Sequence, residues 1–196
     1  GNHAGYYPGA TNIALKLMYN PETLEILGAQ AIGQEGTEKR IDVIATAIKG
    51  KLKVTDLSDL ELAYAPPFGS AKDPVNMLGY IAENVLSGLV ETAQWSQIKE
   101  FTDKGFDLID VRSEGEFERG SIPGAINMPV DEIRERKSEL KNKNLLVTCQ
   151  VGQRGHTASL LLKELGFNAV NLDGGYLLWS NSPANQKPLA SALISK

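Results

Sequence analysis

The stretch Leu145-Leu146-Val147-Thr148-Cys149-Gln150-Val151-Gly152-Gln153-Arg154-Gly155-His156 decides the fold. Four residues of buried-strand character stop at a cysteine. A short loop with two glycines follows, then a helix predicted from Thr157 to Leu165 and closed by Gly166. In an open α/β sheet ligands bind at the carboxyl ends of the strands, so this layout delivers the thiol to the usual site position. Gly152 permits a positive φ, which lets the loop's backbone N–H groups turn inward as an anion nest. The helix N-terminus adds partial positive charge, and together these favour a thiolate.

Working outward, the same half of the chain alternates strand and helix signals. A helix is predicted over Trp95–Phe101, a buried strand over Phe106–Val111, a charged amphipathic helix over Val130–Leu140, a strand over Ala169–Leu172 and a short helix over Tyr176–Trp179. That alternation points to a parallel sheet covered by helices on both faces. The first half reads differently. Strands Thr11–Tyr19 and Leu24–Ile32 flank the turn Asn20-Pro21-Glu22, and a helix follows over Glu38–Ile48 with Ile41, Ile44, Ala45 and Ile48 at helical spacing. Asp73-Pro74 has the N-cap and first-turn pattern of a second helix bearing Val75, Leu78, Ile81, Val85 and Leu86, and Gly88 closes it. Strands and then helices make this an α+β unit. The expected domains are 1–88 and 89–184, with a loosely held tail over 185–196.

Composition excludes several chemistries. Among 196 residues there is one cysteine, Cys149, so no internal disulfide can form. With only His3 and His156 beside it no Cys/His zinc cage can be assembled, and no metal site is expected. The formal charge of −4 hides no basic half: residues 1–90 carry 7 basic against 10 acidic side chains, and residues 91–196 carry 13 against 14. Counterion release therefore has no obvious source and no nucleic-acid partner is expected. No apolar run reaches membrane-spanning length and the N-terminus lacks a signal-peptide layout, which leaves a reducing cytoplasm as the default.

The cysteine stretch resembles the rhodanese family of sulfurtransferases, whose loop reads Cys-x-x-Gly-x-Arg, here Cys149 to Arg154. Asp110-Val111-Arg112 with Glu116, then Gly120 to Ala125, then Leu172-Asp173-Gly174-Gly175 with Trp179, are similar to further ordered blocks of that family, over about residues 89–183. The resemblance implies that Cys149 takes up a sulfane sulfur as a persulfide cradled by the amides of Gln150, Val151, Gly152, Gln153, Arg154 and Gly155. It also implies that Arg154 binds the donor's anionic end while Gln150 and Gln153 shape the rim. Two positions depart from the pattern: Ser121 stands where the family commonly has His, and Gly155-His156 replaces the usual Ser after the Arg. Asp110, Arg112 and Glu116 read as an ion-pair lattice behind the loop rather than as catalysts. His156 reads as a solvent-facing residue or local cation rather than as a Cys–His partner. Tyrosine phosphatases also use a strand-Cys-loop-Arg-helix cradle, but with five residues between Cys and Arg where this chain has four.

The first half carries no Gly-Lys-Ser/Thr after its glycines and no Gly-x-Gly-x-x-Gly, so its residues alone assign it no function. Yet His3 to Gly9, Gly36 to Val43, Ala63 to Phe68 and Lys72 to Asn76 are similar to the C-terminal dimerisation domain of FAD-dependent pyridine nucleotide-disulfide oxidoreductases. The similarity is to the coenzyme A-disulfide reductase branch, which includes fusions to a rhodanese domain. That resemblance implies a homodimer, and it implies that Tyr6 and Tyr64 reach the redox cysteine of the opposite subunit; as plain interface aromatics they would equally suit subunit packing. It further implies a parent enzyme using FAD, NAD(P)H and coenzyme A, of which this chain is expected to be a C-terminal piece binding none by itself. The chain's own partners would then be a small sulfane-sulfur donor and a thiol acceptor. The rival expectation is a non-catalytic dimerisation and substrate-docking module.

Overall fold

The computed structural model describes residues 1–185, so the tail expected over 185–196 lies, after Asn185, outside the described residues. The chain divides into two compact units, Gly1–Gly88 and Leu89–Lys196.

In the first unit, β1 (Ile13–Tyr19) and β2 (Ile26–Gly33) form an antiparallel hairpin in register from Ile13 opposite Gly33 to Met18 opposite Gly28. The Asn20 side-chain oxygen accepts the N–H groups of Glu22 (2.8 Å) and Thr23 (3.0 Å), an Asx turn that starts the reversal. Leu17, Tyr19, Ile26 and Ala29 then pack against helices α1 (Thr37–Lys49) and α2 (Pro74–Leu86) and a 3-10 turn over Val54–Asp59. Asp73 caps α2 by accepting from the Val75 N–H at 3.0 Å, and its carboxylate also holds the buried Arg40 guanidinium at 2.8 Å. Arg40 in turn donates to the carbonyl of Asn2 at 2.6 Å, so one buried cation ties the N-terminal loop to both helices. Gly79 is required by packing: a Cβ there would lie 2.9 Å from Leu57 backbone.

The expected face of α1 is only partly the one used. Ile44 and Ala47 are buried beside Arg40, whereas Ala45 and Ile48 are exposed. Apolar side chains cover so much of this helix that spacing alone does not single out the core-facing arc. Ile81 of α2 is likewise exposed.

The second unit is built on a five-stranded, all-parallel sheet. In chain order it has β3 (Glu91–Ala93), a 3-10 turn, α3 (Ile98–Asp103), β4 (Asp107–Asp110), α4 (Glu114–Glu118), β5 (Ile126–Asn127), α5 (Ile133–Arg136), β6 (Asn144–Thr148), α6 (Gln153–Glu164), β7 (Asn168–Leu172) and α7 (Gly175–Ser180), with strand order β3-β7-β6-β4-β5. Side chains alternate between the faces, as the two-residue period requires. Ile109, Leu145, Val147 and Ala169 meet Ala158 and Leu162 of α6 on one face; Leu108, Leu146, Val170 and Leu172 meet Trp179 on the other. β6 sits at the centre, so its carboxyl end opens between those of β4 and β7.

Two elements depart from expectation. The helix foreseen over Val130–Leu140 is instead a 3-10 turn at Val130–Glu132, the four-residue α5 and another 3-10 turn at Lys137–Glu139. Ile133 is its one fully buried side chain, and its charges are satisfied locally by Arg136 pairing with Glu132 and Glu139, each at 2.8 Å. Helix α6 begins at Gln153 rather than Thr157, because Gly152 adopts φ 98° and serves as its N-cap residue without a side-chain cap.

Candidate functional site

At the end of β6 the chain leaves the sheet at Cys149, which is 1% exposed. The Gly152 N–H donates to its Sγ at 3.1 Å. The loop that follows is pinned from behind through its carbonyls. Cys149 O accepts from the Tyr176 N–H at 2.7 Å and Gln150 O from the Leu177 N–H at 2.9 Å; Gly152 O accepts from the His156 N–H at 2.8 Å and from Asn171 Nδ2 at 3.2 Å. In a trans peptide the carbonyl and the following N–H point opposite ways, so anchoring those three carbonyls turns the N–H groups of Gln150, Val151 and Gln153 away from the anchors. Together with the N–H groups of Arg154 and Gly155 in the first turn of α6, they have no acceptor among the described residues. Among the described residues the loop thus has one amide, of Gly152, on sulfur and five more without an acceptor. That arrangement can stabilise negative charge on sulfur.

Close approach behind the loop depends on Gly175, at φ 56°, where a Cβ would run into the carbonyl of Cys149. Gly155 is needed for a related reason: a Cβ there would collide with Asn171 Oδ1, a buried oxygen with no hydrogen-bond partner among the described residues. Sequence reasoning passed over Asn171. Its signal was a polar residue inside a strand otherwise destined for burial.

The charged residues form two separate pairs rather than one lattice. Asp110 and Arg112 are both buried, with the guanidinium donating to the carboxylate at 2.7 and 3.0 Å. Arg112 also donates to Gly120 O at 2.7 Å and Gln150 Oε1 at 3.3 Å, and lies 4.2 Å from the centre of the Tyr176 ring. It therefore links the sheet's carboxyl edge to the loop.

Glu116 belongs to the other pair. It receives both terminal nitrogens of Arg154, at 2.6 and 2.7 Å. Those hydrogen bonds, only partly opposed by burial and assisted by the Ser113 N–H, hold its carboxyl down at about 2. Val151 and Gln153 lie at the exposed rim. The His156 side chain is half-buried, and among the described residues no hydrogen bond joins it to Cys149.

In the first unit the hydroxyls of Tyr6 and Tyr64 are 3.0 Å apart although 58 positions separate them. The N-terminal loop reaches the second tyrosine's loop through the Ala4 N–H donating to Pro66 O at 3.3 Å. Both rings are exposed, and the hydrogen bond with Tyr6, which favours the neutral phenol, raises Tyr64 above its ordinary pKa. Phe68, four residues after Tyr64, is exposed as well.

Residues 94–182 match the Rhodanese-like domain and residues 1–74 match the pyridine nucleotide-disulphide oxidoreductase dimerisation domain. The chain is a dimerisation domain of that oxidoreductase type followed by a rhodanese-like domain. The two domains together match the C-terminal part of longer relatives. A structure of reduced CoADR-RHD from Bacillus anthracis is 50% identical with a TM-score of 0.88, covering 91% of this chain and 32% of that one. A NAD-dependent persulfide reductase from A. fulgidus is 38% identical with a TM-score of 0.79, covering 89% and 32%. Over 85 residues the chain is 45% identical to the coenzyme A disulfide reductase of Staphylococcus haemolyticus, which is 43% of this chain and 19% of that protein. The chain thus spans about a third of the length of the two structures and about a fifth of the curated reductase. Cys149 and its amide cradle lie in the rhodanese-like domain; Tyr6 and Tyr64 lie in the dimerisation domain.

Proposed function

We propose that Cys149 is a sulfur carrier. Its thiolate attacks the outer sulfur of a persulfide or polysulfide, the S–S bond of the donor breaks, and the donor's remaining thiolate leaves with the bond's electron pair. Cys149 then bears a persulfide, and an acceptor thiolate attacks its outer sulfur and returns the Cys149 thiolate. Sulfur moves at each step with no net oxidation. The observation that carries the reading is the Gly152 N–H on a buried Sγ, in a loop with five further amides that have no acceptor among the described residues. It supplies donors where charge sits on the terminal sulfur, and Gln150, Val151, Gly152, Gln153, Arg154 and Gly155 are the residues that would line it.

Coenzyme A persulfide and inorganic polysulfide are the donors that the similarity to coenzyme A disulfide and persulfide reductases favours, with coenzyme A or a redox cysteine of a longer enzyme as acceptor. In such an enzyme Tyr6 and Tyr64 would donate hydrogen bonds to that cysteine across a homodimer. Tyr6, Phe68, Leu27 and Ile32 are exposed on the dimerisation domain and would be available to such a contact. FAD and NAD(P)H find no cradle here: no strand among the described residues runs into a Gly-x-Gly-x-x-Gly turn, and no step above passes through them. No helix among the described residues is long and apolar enough to cross a membrane. A phosphatase reading is disfavoured because Arg154, which would have to face a phosphoryl group, is occupied by Glu116.

The test is intact mass after incubation with polysulfide. The wild-type chain should gain the mass of one sulfur atom and Cys149→Ser should not. A wild-type chain that gains nothing would leave a docking and assembly module.

A further inference from the structure

Two cations stand at the loop, and each already has a carboxylate. Arg112 is committed to Asp110 beneath the loop. Arg154, the loop's own cation, has both Nη atoms on the two oxygens of Glu116, the bidentate geometry that leaves a guanidinium least available to another anion. Glu116 is also held from its other side, since its Oε2 accepts from the Ser113 N–H at 3.1 Å and the Ser113 hydroxyl at 3.0 Å. The carboxylate is thus fixed by four hydrogen bonds. It neutralises the one charge on the loop that a sulfonate could use.

Sulfane-sulfur donors differ in what they ask of that charge. Thiosulfate is a dianion, and on attack by the Cys149 thiolate it releases sulfite, also a dianion: Cys–S⁻ and S–SO₃²⁻ give Cys–S–S⁻ and SO₃²⁻. A thiol persulfide brings one negative charge and releases one thiolate: Cys–S⁻ and R–S–S⁻ give Cys–S–S⁻ and R–S⁻. The cradle amides serve the transferred sulfur in both cases, but only the first reaction needs a cation for its departing group. The exposed rim offers Val151 and Gln153, neither of them charged.

We infer that Glu116 determines donor choice at this site, and the inference rests on the sulfur-carrier reading of Cys149. By engaging Arg154 it discriminates against donors whose leaving group is a dianion, such as sulfite, and leaves the cradle to thiol persulfides, whose leaving group is a single thiolate. Glu116 touches neither donor nor thiol, so it acts through Arg154 as a positioning residue.

The experiment follows loading of the purified chain by intact mass with time, with thiosulfate and with the persulfide of 2-mercaptoethanol as the two probes. The readout is the ratio of the two rates within each variant, which cancels a general loss of folded protein. In Glu116→Gln the thiosulfate-to-persulfide ratio should rise roughly tenfold as one guanidinium charge is released in a partly solvated setting. The gain should shrink with added salt and vanish in Glu116→Gln/Arg154→Gln, a pattern that loosened packing would not produce. Glu116→Asp, one methylene shorter and still able to meet Ser113, should rise by less; it carries the test if the Gln variant does not fold. If the ratio is unchanged in both Gln and Asp variants while the persulfide still loads every protein, Glu116 does not set donor choice and the sulfur-carrier reading survives. A wild-type chain that loads faster from thiosulfate than from the persulfide also overturns the inference. Should the persulfide load none of them, the carrier reading itself falls and takes the inference with it.

Discussion

Replacing Asp110 by Asn asks whether the buried ion pair holds the carboxyl edge of the sheet and the loop together. Asp110 is 0% and Arg112 2% exposed, and the guanidinium makes contacts of 2.7, 3.0 and 3.0 Å to the carboxylate. With charge centres about 4 Å apart and an effective dielectric near 20, the attraction is about 4 kcal/mol. Removing one partner leaves a charge that folding has already taken out of water, so the net cost should be about 3–5 kcal/mol. For a unit of roughly 100 residues that lowers Tm by more than about 12 °C. The protein has two tryptophans, Trp95 and Trp179, both in the second unit, so urea or thermal melts read by intrinsic fluorescence report that unit alone. The paired replacement Asp110→Leu/Arg112→Met, which buries no charge, should cost less than the single change. A loss under about 1 kcal/mol in Asp110→Asn would refute the reasoning. It would mean that Gly120 O, Gln150 Oε1 and the Tyr176 ring satisfy Arg112 without a counter-charge.

Three further outcomes are expected. Gly155→Ser should destabilise the second unit and slow loading of Cys149, because its Cβ meets Asn171 Oδ1; adding Asn171→Ala should restore much of the loss, which a double-mutant cycle measures. The Glu116 carboxyl is held at about 2 in the folded chain against an ordinary 4.5, so the stability it contributes is complete above about pH 4.5 and is lost as pH falls toward 2. The stability difference between wild type and Glu116→Gln should therefore narrow through that window in acid titrations, and a difference that widens there contradicts the assignment. Tyr6→Phe should lower the Tyr64 pKa, since the bond that raises it is gone; tyrosine-labelled NMR titration would show an unmoved midpoint if the two hydroxyls do not meet in solution.

The central strand and its cysteine loop were legible because their cause is local: Leu145 to Thr148 have nowhere to go but a doubly covered sheet, and Gly152 marks the reversal. The start of α6 was not, since Gly152 caps it by backbone conformation and provides no side-chain signal. Short edge elements also escaped notice, among them β3, the two-residue β5 and the five-residue α4, whose Ser113 cap resembles any surface turn. The helix expected over Val130–Leu140 shows the opposite error, a charge pattern that suits a helix but has one buried anchor to hold it.

At the site, sequence placed Cys149, Gly152 and Arg154 in one loop but could not tell which anion Arg154 faces. Its partner Glu116 lies 38 positions earlier, on an element that only the fold brings alongside. Tyr6 and Tyr64 illustrate the same limit. Motif resemblance named both, and tertiary structure alone puts their hydroxyls within hydrogen-bonding distance.

The most direct test of the account is discharge of the loaded protein. The chain is loaded with polysulfide, freed of excess donor and mixed with coenzyme A, and the mass of the peptide containing Cys149 is followed with time. That peptide should carry one extra sulfur at the start and lose it at a rate that rises with thiol concentration, while coenzyme A persulfide appears in equal amount. Sulfur that is absent from the peptide, or that stays on it whatever the thiol concentration, would contradict a sulfur carrier at Cys149.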